Sequence, residues 1–234
     1  MYCELPILGI TLARGGSKGI PRKNLQTIND KPLVEWAGDA MSASKYLDYY
    51  VISSEDAEIL DVCTNAGFRV SRRPDYLAQD ETTSAEVLQY TLEEVQHRVD
   101  QKFAYVVELM CTAPLTSTED IDGFIKNMID KRAEHSVSVV PVTHYHPSRL
   151  KYIQDDKLLS FYPEPLEARR QDLEPDAYIR NGALYGMTPE ALYRTKSKWG
   201  HSPIPYIMEP DRWINIDSLR DLDIARAIPP KVEN

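Results

Sequence analysis

The densest chemistry in this chain lies in one run, Leu12-Ala13-Arg14-Gly15-Gly16-Ser17-Lys18-Gly19-Ile20-Pro21-Arg22-Lys23-Asn24-Leu25. Glycine lets backbone N–H groups approach an anion closely, because no Cβ intervenes. Successive N–H groups in a tight loop form a concave anion site. Ala13, Gly15 and Gly16 would supply such groups, with Ser17 and Asn24 as neutral side-chain donors. Arg14, Lys18, Arg22 and Lys23 bring the charge that several phosphates need. The apolar run Leu5–Leu12 just before reads as a buried strand. The whole reads as a triphosphate cradle at the C-terminal end of the first strand of an α/β sheet. It is not a Walker loop, because Lys18 precedes Gly19 instead of following it, and it is not Gly-x-Gly-x-x-Gly, because Gly15 and Gly16 are adjacent. Lys23 reads equally well as a ligand of the α-phosphate and ribose or as a solvated side chain.

A second site-like element is Trp213-Ile214-Asn215-Ile216-Asp217, read as strand-like. Alternation puts Asn215 and Asp217 on one face. Carboxylate and carboxamide oxygens both suit Mg²⁺, which keeps several of its waters. Capping of a helix that starts near Ser218 is a competing role for Asp217, compatible with the first. His144 and His146 lack Cys or carboxylate partners at metal-ligand spacing and read as structural or interface residues.

The order Ala-Arg-Gly-Gly-Ser-Lys-Gly-Ile-Pro-Arg-Lys-Asn-Leu resembles the signature of the acylneuraminate cytidylyltransferases, the CMP-sialic acid synthetases. The resemblance continues along most of the chain: Arg73-Pro74 with Leu77-Ala78, Asp80 and Ser84; Thr112-Ala113-Pro114-Leu115; Arg169-Arg170-Gln171-Asp172 followed by Asn181-Gly182-Ala183-Leu184-Tyr185; and Ile214-Asn215-Ile216-Asp217. Five motifs in the family's order are far more specific than any one alone.

The resemblance implies Mg²⁺-assisted transfer of CMP from CTP to a nonulosonic acid, with release of pyrophosphate. Arg14 and Lys18 would hold the β- and γ-phosphates. Arg73 and Ser84 match positions that line a cytosine pocket, although by residue type alone Arg73 is an ordinary loop arginine. Met110, Thr112, Arg149, Arg170, Gln171, Asn181 and Tyr185 match the acceptor side, and Tyr185 reads equally as a core aromatic. Asp217 is the expected metal ligand, together with Asn215. The family usually carries aspartate at both places, so Asn215 removes one charge. Met110 and Thr116 replace a polar residue and an arginine, which suggests an acceptor other than N-acetylneuraminate, such as a pseudaminic-, legionaminic- or deaminated-type sugar. A different acceptor or nucleotide is the enzymatic alternative, and a non-catalytic nucleotide-binding homologue is the other.

The elements that must position these residues alternate. A helix is expected over 32–44, a strand over 47–53, a helix over 55–65 capped by Ser54, a short strand over 68–70, and a long helix after Thr83 or Ser84. A strongly apolar strand over 103–109, a helix over 118–132 and a strand over 136–142 follow. Strand and helix in alternation predict an α/β fold, Rossmann-like and mostly parallel, with helices on both faces. The region 144–176 breaks the rhythm, with a hairpin around Tyr152–Leu159, and reads as an arm inserted in a single domain over 1–234. In the resembling family such an element mediates dimerisation, so a homodimer is expected.

The 234 residues suffice for one sizeable core. A net charge of −9 argues against a nucleic-acid partner, which would select a basic face. No apolar stretch reaches membrane-spanning length, so no membrane partner is expected. Cys3, Cys63 and Cys111 show no disulfide spacing, and no signal-peptide pattern is seen, so a cytoplasmic location is expected.

Overall fold

A computed structural model describes residues 5–142, 145–163, 169 and 172–228. Its first strand, β1 (Ile7–Leu12), enters with alternate residues committed to opposite faces of a sheet. Ile7 belongs to one core cluster and Leu8 and Ile10 to another. A two-stranded hairpin, β2 (Thr27–Ile28) with β3 (Lys31–Pro32), leads into helix α1 (Leu33–Ser42). Strand β4 (Tyr49–Ser54), helix α2 (Ala57–Asn65), strand β5 (Val70–Arg72), helix α3 (Ser84–Val99), strand β6 (Tyr105–Leu109), helix α4 (Thr118–Lys131) and strand β7 (His135–Pro141) follow in strict alternation.

After β7 the rhythm breaks. Among the described residues, strands β8 (Lys151–Gln154) and β9 (Lys157–Ser160) pair only with each other, as an antiparallel hairpin apart from the main sheet. Strand β10 (Tyr178–Met187), helix α5 (Pro189–Thr195), strand β11 (Ile204–Ile207) and helix α6 (Leu219–Ala227) complete the fold.

The main sheet has seven strands in the order β11-β7-β10-β6-β1-β4-β5. Every pairing is parallel except those of β10, which runs antiparallel between β6 and β7. The fold is therefore a mostly parallel α/β sheet with helices on both faces, as the alternation predicts. Chain order reverses around β1, so a crevice opens beyond the carboxyl ends of β1, β4 and β6, where such sheets bind ligands.

One face is covered by α1, α2 and α4 through Val34, Met41, Ile59 and Phe124, and the other by α3 and α5 through Leu88, Leu92 and Leu192. Truncating the fully buried Phe124 to alanine would cost about 3–5 kcal/mol. Capping boxes at Thr83, Ser117 and Ser218 fix where α3, α4 and α6 begin.

Three local expectations are corrected. The cap of α2 is Asp56, which accepts from Ile59 N, while Ser54 Oγ accepts from Asp56 N one step earlier. Trp213–Asp217 is not a strand: the segment crosses the ends of the sheet, tied by Ile216 N to Thr112 O at 2.9 Å. Ser218, not Asp217, caps α6. Asp120, in the first turn of α4, also forms a part-buried bidentate pair with Arg212.

Candidate active site

The run after β1 leaves the sheet as an open loop and returns through a short 3-10 turn, Lys23–Leu25. Its shape is fixed by three hydrogen bonds. Asn24 is buried and donates to Arg14 O at 2.9 Å, Ala13 N donates to Ser53 O at 3.0 Å, and Gly15 N donates to Glu55 Oε1 at 2.7 Å. The Ala13 and Gly15 N–H groups, expected to face an anion, therefore serve the fold in this structure. Gly19 is required by close approach: a Cβ there would stand 2.7 Å from the Asp217 carbonyl oxygen.

The loop forms one wall of a cavity of about 470 Å³, to which it contributes Arg14, Ser17, Lys18, Lys23 and Asn24. The segment after β5 and the start of α3 contribute Arg73, Asp80 and Ser84. The end of β6 contributes Glu108, Met110, Cys111 and Thr112, and Asp217 closes the ring. Residues far apart in the sequence, expected at the phosphate, base and metal positions, thus line one cavity.

Arg73 is nearly fully buried. Its Nη1 donates to Ser53 O at 3.1 Å and its Nη2 to Glu55 Oε2 at 2.8 Å. Burial pushes the guanidinium pKa down and the Glu55 carboxylate opposes the shift. Glu55 was not singled out in the sequence, yet it grips the glycine-rich loop with one oxygen and Arg73 with the other. A carboxylate at the end of a strand, next to a helix cap, gives no distinguishing pattern.

The exposed loop cations are partly neutralised. Asp80 lies 2.6 Å from Lys18 Nζ and 3.3 Å from Arg14 Nη1. The Lys18 hydrogen bond holds the Asp80 carboxyl below its usual range. Arg22 turns away from the cavity to pair with Asp56 and Glu58. Burial raises the Cys111 thiol pKa far above its ordinary value, so it is not a thiolate nucleophile.

Lys23 is not merely solvated. Its Nζ lies 2.9 Å from Ile216 O and 3.0 Å from Asp217 Oδ1. Asn215 Nδ2 donates to Asp217 Oδ2 at 2.7 Å, so Asn215 and Asp217 do share a side of their segment. Among the described residues no group of three or more His, Cys, Asp or Glu side chains converges as a metal site. The donor set nonetheless fits Mg²⁺ of the kind held by one carboxylate together with substrate phosphates, since Asp217 is mostly exposed and borders the cavity beside Lys23 and Lys18. Asn215, as it donates here, orients Asp217 instead of presenting an oxygen.

The acceptor-side residues divide. Met110 and Thr112 line the cavity. Asn181 does not face it: its side chain is buried, with Oδ1 accepting from Ser138 Oγ at 2.6 Å and Nδ2 3.0 Å from Met208 Sδ. Gly182 has a positive φ of 73°, and the register of β10 against β7 shifts between Arg180 and Tyr185. This bulge sends Asn181 and Tyr185 to opposite faces despite their even spacing. Tyr185 packs in the core under α3, with Lys198 Nζ 3.8 Å from its ring centroid. Arg149 is exposed on a 3-10 turn, outside the cavity lining, and Arg170, Gln171 and His144 lie outside the described residues. His146 is buried and accepts from Ser148 N to cap that turn, the structural role expected of it.

A larger cleft of about 1000 Å³ lies between α1, the start of α4 and α6. Its Arg212 is spent on Asp120 and no glycine-rich loop borders it. No helix among the described residues is long and apolar enough to cross a membrane.

A pseudaminic acid cytidylyltransferase of Campylobacter jejuni is 28% identical over 94% of this chain and 95% of its own. An N-acylneuraminate cytidylyltransferase of Escherichia coli is 26% identical over 96% of this chain and 52% of its own. The structure of CMP:2-keto-3-deoxy-manno-octonic acid synthetase complexed with CTP superposes with a TM-score of 0.68 at 15% identity, covering 95% of this chain and 98% of that one, a likeness of fold. The cytidylyltransferase family profile matches residues 8–207, and the chain belongs to that family.

Proposed function

We propose that the protein activates a nonulosonic acid: CTP and the nine-carbon acid give the CMP-sugar and pyrophosphate. The observation that best supports this is one cavity bordered by the cations and serine of the loop after β1, by Arg73 and Ser84, and by Asp217. The relatives named for pseudaminic and N-acylneuraminic acid, both nonulosonic acids, support the acceptor class.

Arg14 and Lys18 take the β- and γ-phosphates, exchanging Asp80 for phosphate oxygens. Ser17 and the Gly16 region add neutral donors. Lys23 and Asn24 fix the α-phosphate and ribose side. Arg73 and Ser84 hold the base. The anomeric hydroxyl oxygen attacks the α-phosphorus, the bond from that phosphorus to the oxygen bridging to the β-phosphate breaks, pyrophosphate leaves with its charge held by Arg14 and Lys18, and the hydroxyl proton passes to solvent. Preorganised cations at the leaving group are the main source of rate. Asp217, oriented by Asn215, would hold Mg²⁺, which when bound supplies charge neutralisation at the phosphates. Met110 and Thr112 form the acceptor wall, with Arg149, Arg170 and Gln171 as the partners for the acid's carboxylate. Asn181 and Tyr185 shape this side from behind.

A second copy of the chain covers the apolar side chains exposed on and near the β8–β9 hairpin, among them Ile153, Leu158 and Phe161, so the hairpin is the dimerisation arm and residues 144–176 its extent. The free, buried Cys63 and Cys111 suit the reducing cytoplasm.

Phosphorus NMR of CTP, Mg²⁺ and a nonulosonic acid tests the reaction. The expected result is a new phosphodiester resonance growing in step with pyrophosphate. Hydrolysis of CTP without a phosphodiester would contradict it.

A further inference from the structure

Among the described residues, three buried side-chain polar atoms have no hydrogen-bond partner: Arg73 Nε, Glu108 Oε1 and Thr116 Oγ1. Of these, Oε1 belongs to a carboxylate. Glu108 lines the cavity together with Met110, on the wall assigned to the acceptor. Orphaned buried groups are rare in folded proteins, and each calls for an explanation, a part in the chemistry among them.

Glu108 is out of character with its surroundings. It lies in β6 among Val106, Val107 and Leu109, all buried, and is itself fully buried. Its cross-strand partners are Ile10 of β1 and Tyr185 of β10, so Glu108 and Tyr185 share one face of the sheet. Lys198, from the loop after α5, places its Nζ 2.9 Å from Glu108 Oε2. The same ammonium lies 3.4 Å from Met110 Sδ and 3.8 Å from the Tyr185 ring centroid. Its loop is held in turn. Trp199 packs against Tyr185 with ring centroids 6.2 Å apart, and Ser197 O lies 3.1 Å from His135 Nε2. The pair thus stands with Met110 and Tyr185, on the acceptor side.

An ammonium only donates and a carboxylate only accepts. Lys198 balances the charge of Glu108 and fixes Oε2, leaving Oε1 over. What Oε1 lacks is a neutral donor, an O–H or an N–H, and not a second cation. Apolar residues of similar volume would pack here at least as well as a buried ion pair. The pair therefore calls for a role other than stability. Nonulosonic acids carry hydroxyl groups, and their acylamino forms carry N–H groups. An ester, ether or carbonyl oxygen in the same place would meet the carboxylate lone pair to lone pair.

We infer that Glu108, positioned by Lys198, accepts a hydrogen bond from a neutral donor of the bound acceptor, a hydroxyl or an acylamino N–H, and so selects acceptors that present such a donor beside Met110. The inference rests on the reading of the cavity as the site of cytidylyl transfer to a nonulosonic acid. The unbranched thioether of Met110 can give way as the sugar enters.

Steady-state kinetics of the full chain tests this, with N-acetylneuraminate, the deaminated nonulosonate and pseudaminate as acceptors. Each acceptor is varied at saturating CTP, and CTP at saturating acceptor. The variants are E108L/K198M, which swaps the two charges for apolar side chains of similar volume, and E108Q. With circular dichroism unchanged, E108L/K198M should lower kcat/KM for the best of the three acceptors by about tenfold or more and leave the KM for CTP within about twofold. In E108Q the lysine, which can only donate, takes the amide oxygen, and the amide NH2 stands where Oε1 stood. An acceptor N–H then meets another donor, and kcat/KM falls about tenfold or more; a hydroxyl can turn to accept, and the fall is about threefold. The size of that fall tells the two donors apart. A folded E108L/K198M that keeps the wild-type kcat/KM for the acceptor overturns the inference, as does one whose loss lies in the KM for CTP. Should the double variant not fold, an E108Q protein with unaltered acceptor kinetics overturns it. A wild type that turns over none of the three acceptors with CTP overturns the cytidylyl-transfer reading and this inference with it. An active wild type beside equally active variants removes only the role of Glu108.

Discussion

Lys23 and Asp217 stand 194 positions apart in the chain and 3.0 Å apart in space. Their contact joins the loop after the first strand to the segment that crosses the sheet just before the last helix. Gly19 reinforces the junction, because only a residue without Cβ lets the loop pass so near the Asp217 carbonyl. The cavity is closed by this junction, so changes at either end should reach the chemistry.

Replacing Asp217 tests its role at the metal and phosphates. D217A is expected to lower kcat by about 100-fold or more with a smaller change in the KM for CTP. N215D supplies a second carboxylate and should lower the magnesium concentration needed for half-maximal rate by about tenfold. A magnesium titration of turnover in both variants decides, and unchanged curves would contradict the assignment.

Glu55 holds Gly15 N at 2.7 Å and Arg73 Nη2 at 2.8 Å, so it couples the glycine-rich loop to the arginine beside it. E55Q keeps the shape and weakens both charge-assisted bonds. The KM for CTP should rise by about tenfold while the melting temperature moves little. Steady-state kinetics with varied CTP checks this, and an unaltered KM would make Glu55 a passive neighbour.

Asp80 occupies Lys18 and Arg14, the two cations assigned to the leaving phosphates. Because Lys18 keeps its carboxyl below the usual range, Asp80 is ionised at neutral pH and competes with the nucleotide. D80N should therefore tighten CTP binding about two- to fivefold at low salt, with the gain vanishing at high salt as exposed charges are screened. Weaker binding in D80N would show that Asp80 contacts the ligand instead.

His135 sets an acid limit on the loop that carries Lys198. Its Nε2 lies 3.1 Å from Ser197 O, and burial pushes its pKa below the usual 6.5. The unfolded chain then takes up a proton at a higher pH than the folded one. This contribution to stability is fully present above pH 6.5 and is lost as pH falls from there toward the folded value. Urea unfolding at several pH values should show the wild type losing more stability than H135Q below pH 6.5. Parallel slopes would contradict the account.

Much of the architecture was legible because each element carries its own signal. The glycine and cation run after an apolar strand, the helix start at Thr83 and the apolar β6 are all local patterns. The misplacements have physical causes. Asn181 and Tyr185 are evenly spaced on a strand, but a bulge at Gly182 splits them between faces, and no sequence period reveals a bulge in advance. Trp213–Asp217 alternates like a strand yet crosses the sheet ends, since its Ile214 and Ile216 pack with Trp36 and Leu222 without a strand partner. Glu55 and Glu108 draw their meaning from partners 40 and 90 positions away, a relation that only the folded chain displays.

The central claim is most directly tested by pyrophosphate release from the purified protein with CTP and Mg²⁺ against a panel of nonulosonic and octulosonic acids, with UTP, ATP and GTP as controls. The account predicts turnover with CTP alone and with a nine-carbon acid, and, given Met110 and Thr116, a better acceptor than N-acetylneuraminate. Release that favours an octulosonate, or that proceeds equally with another nucleotide, would contradict it.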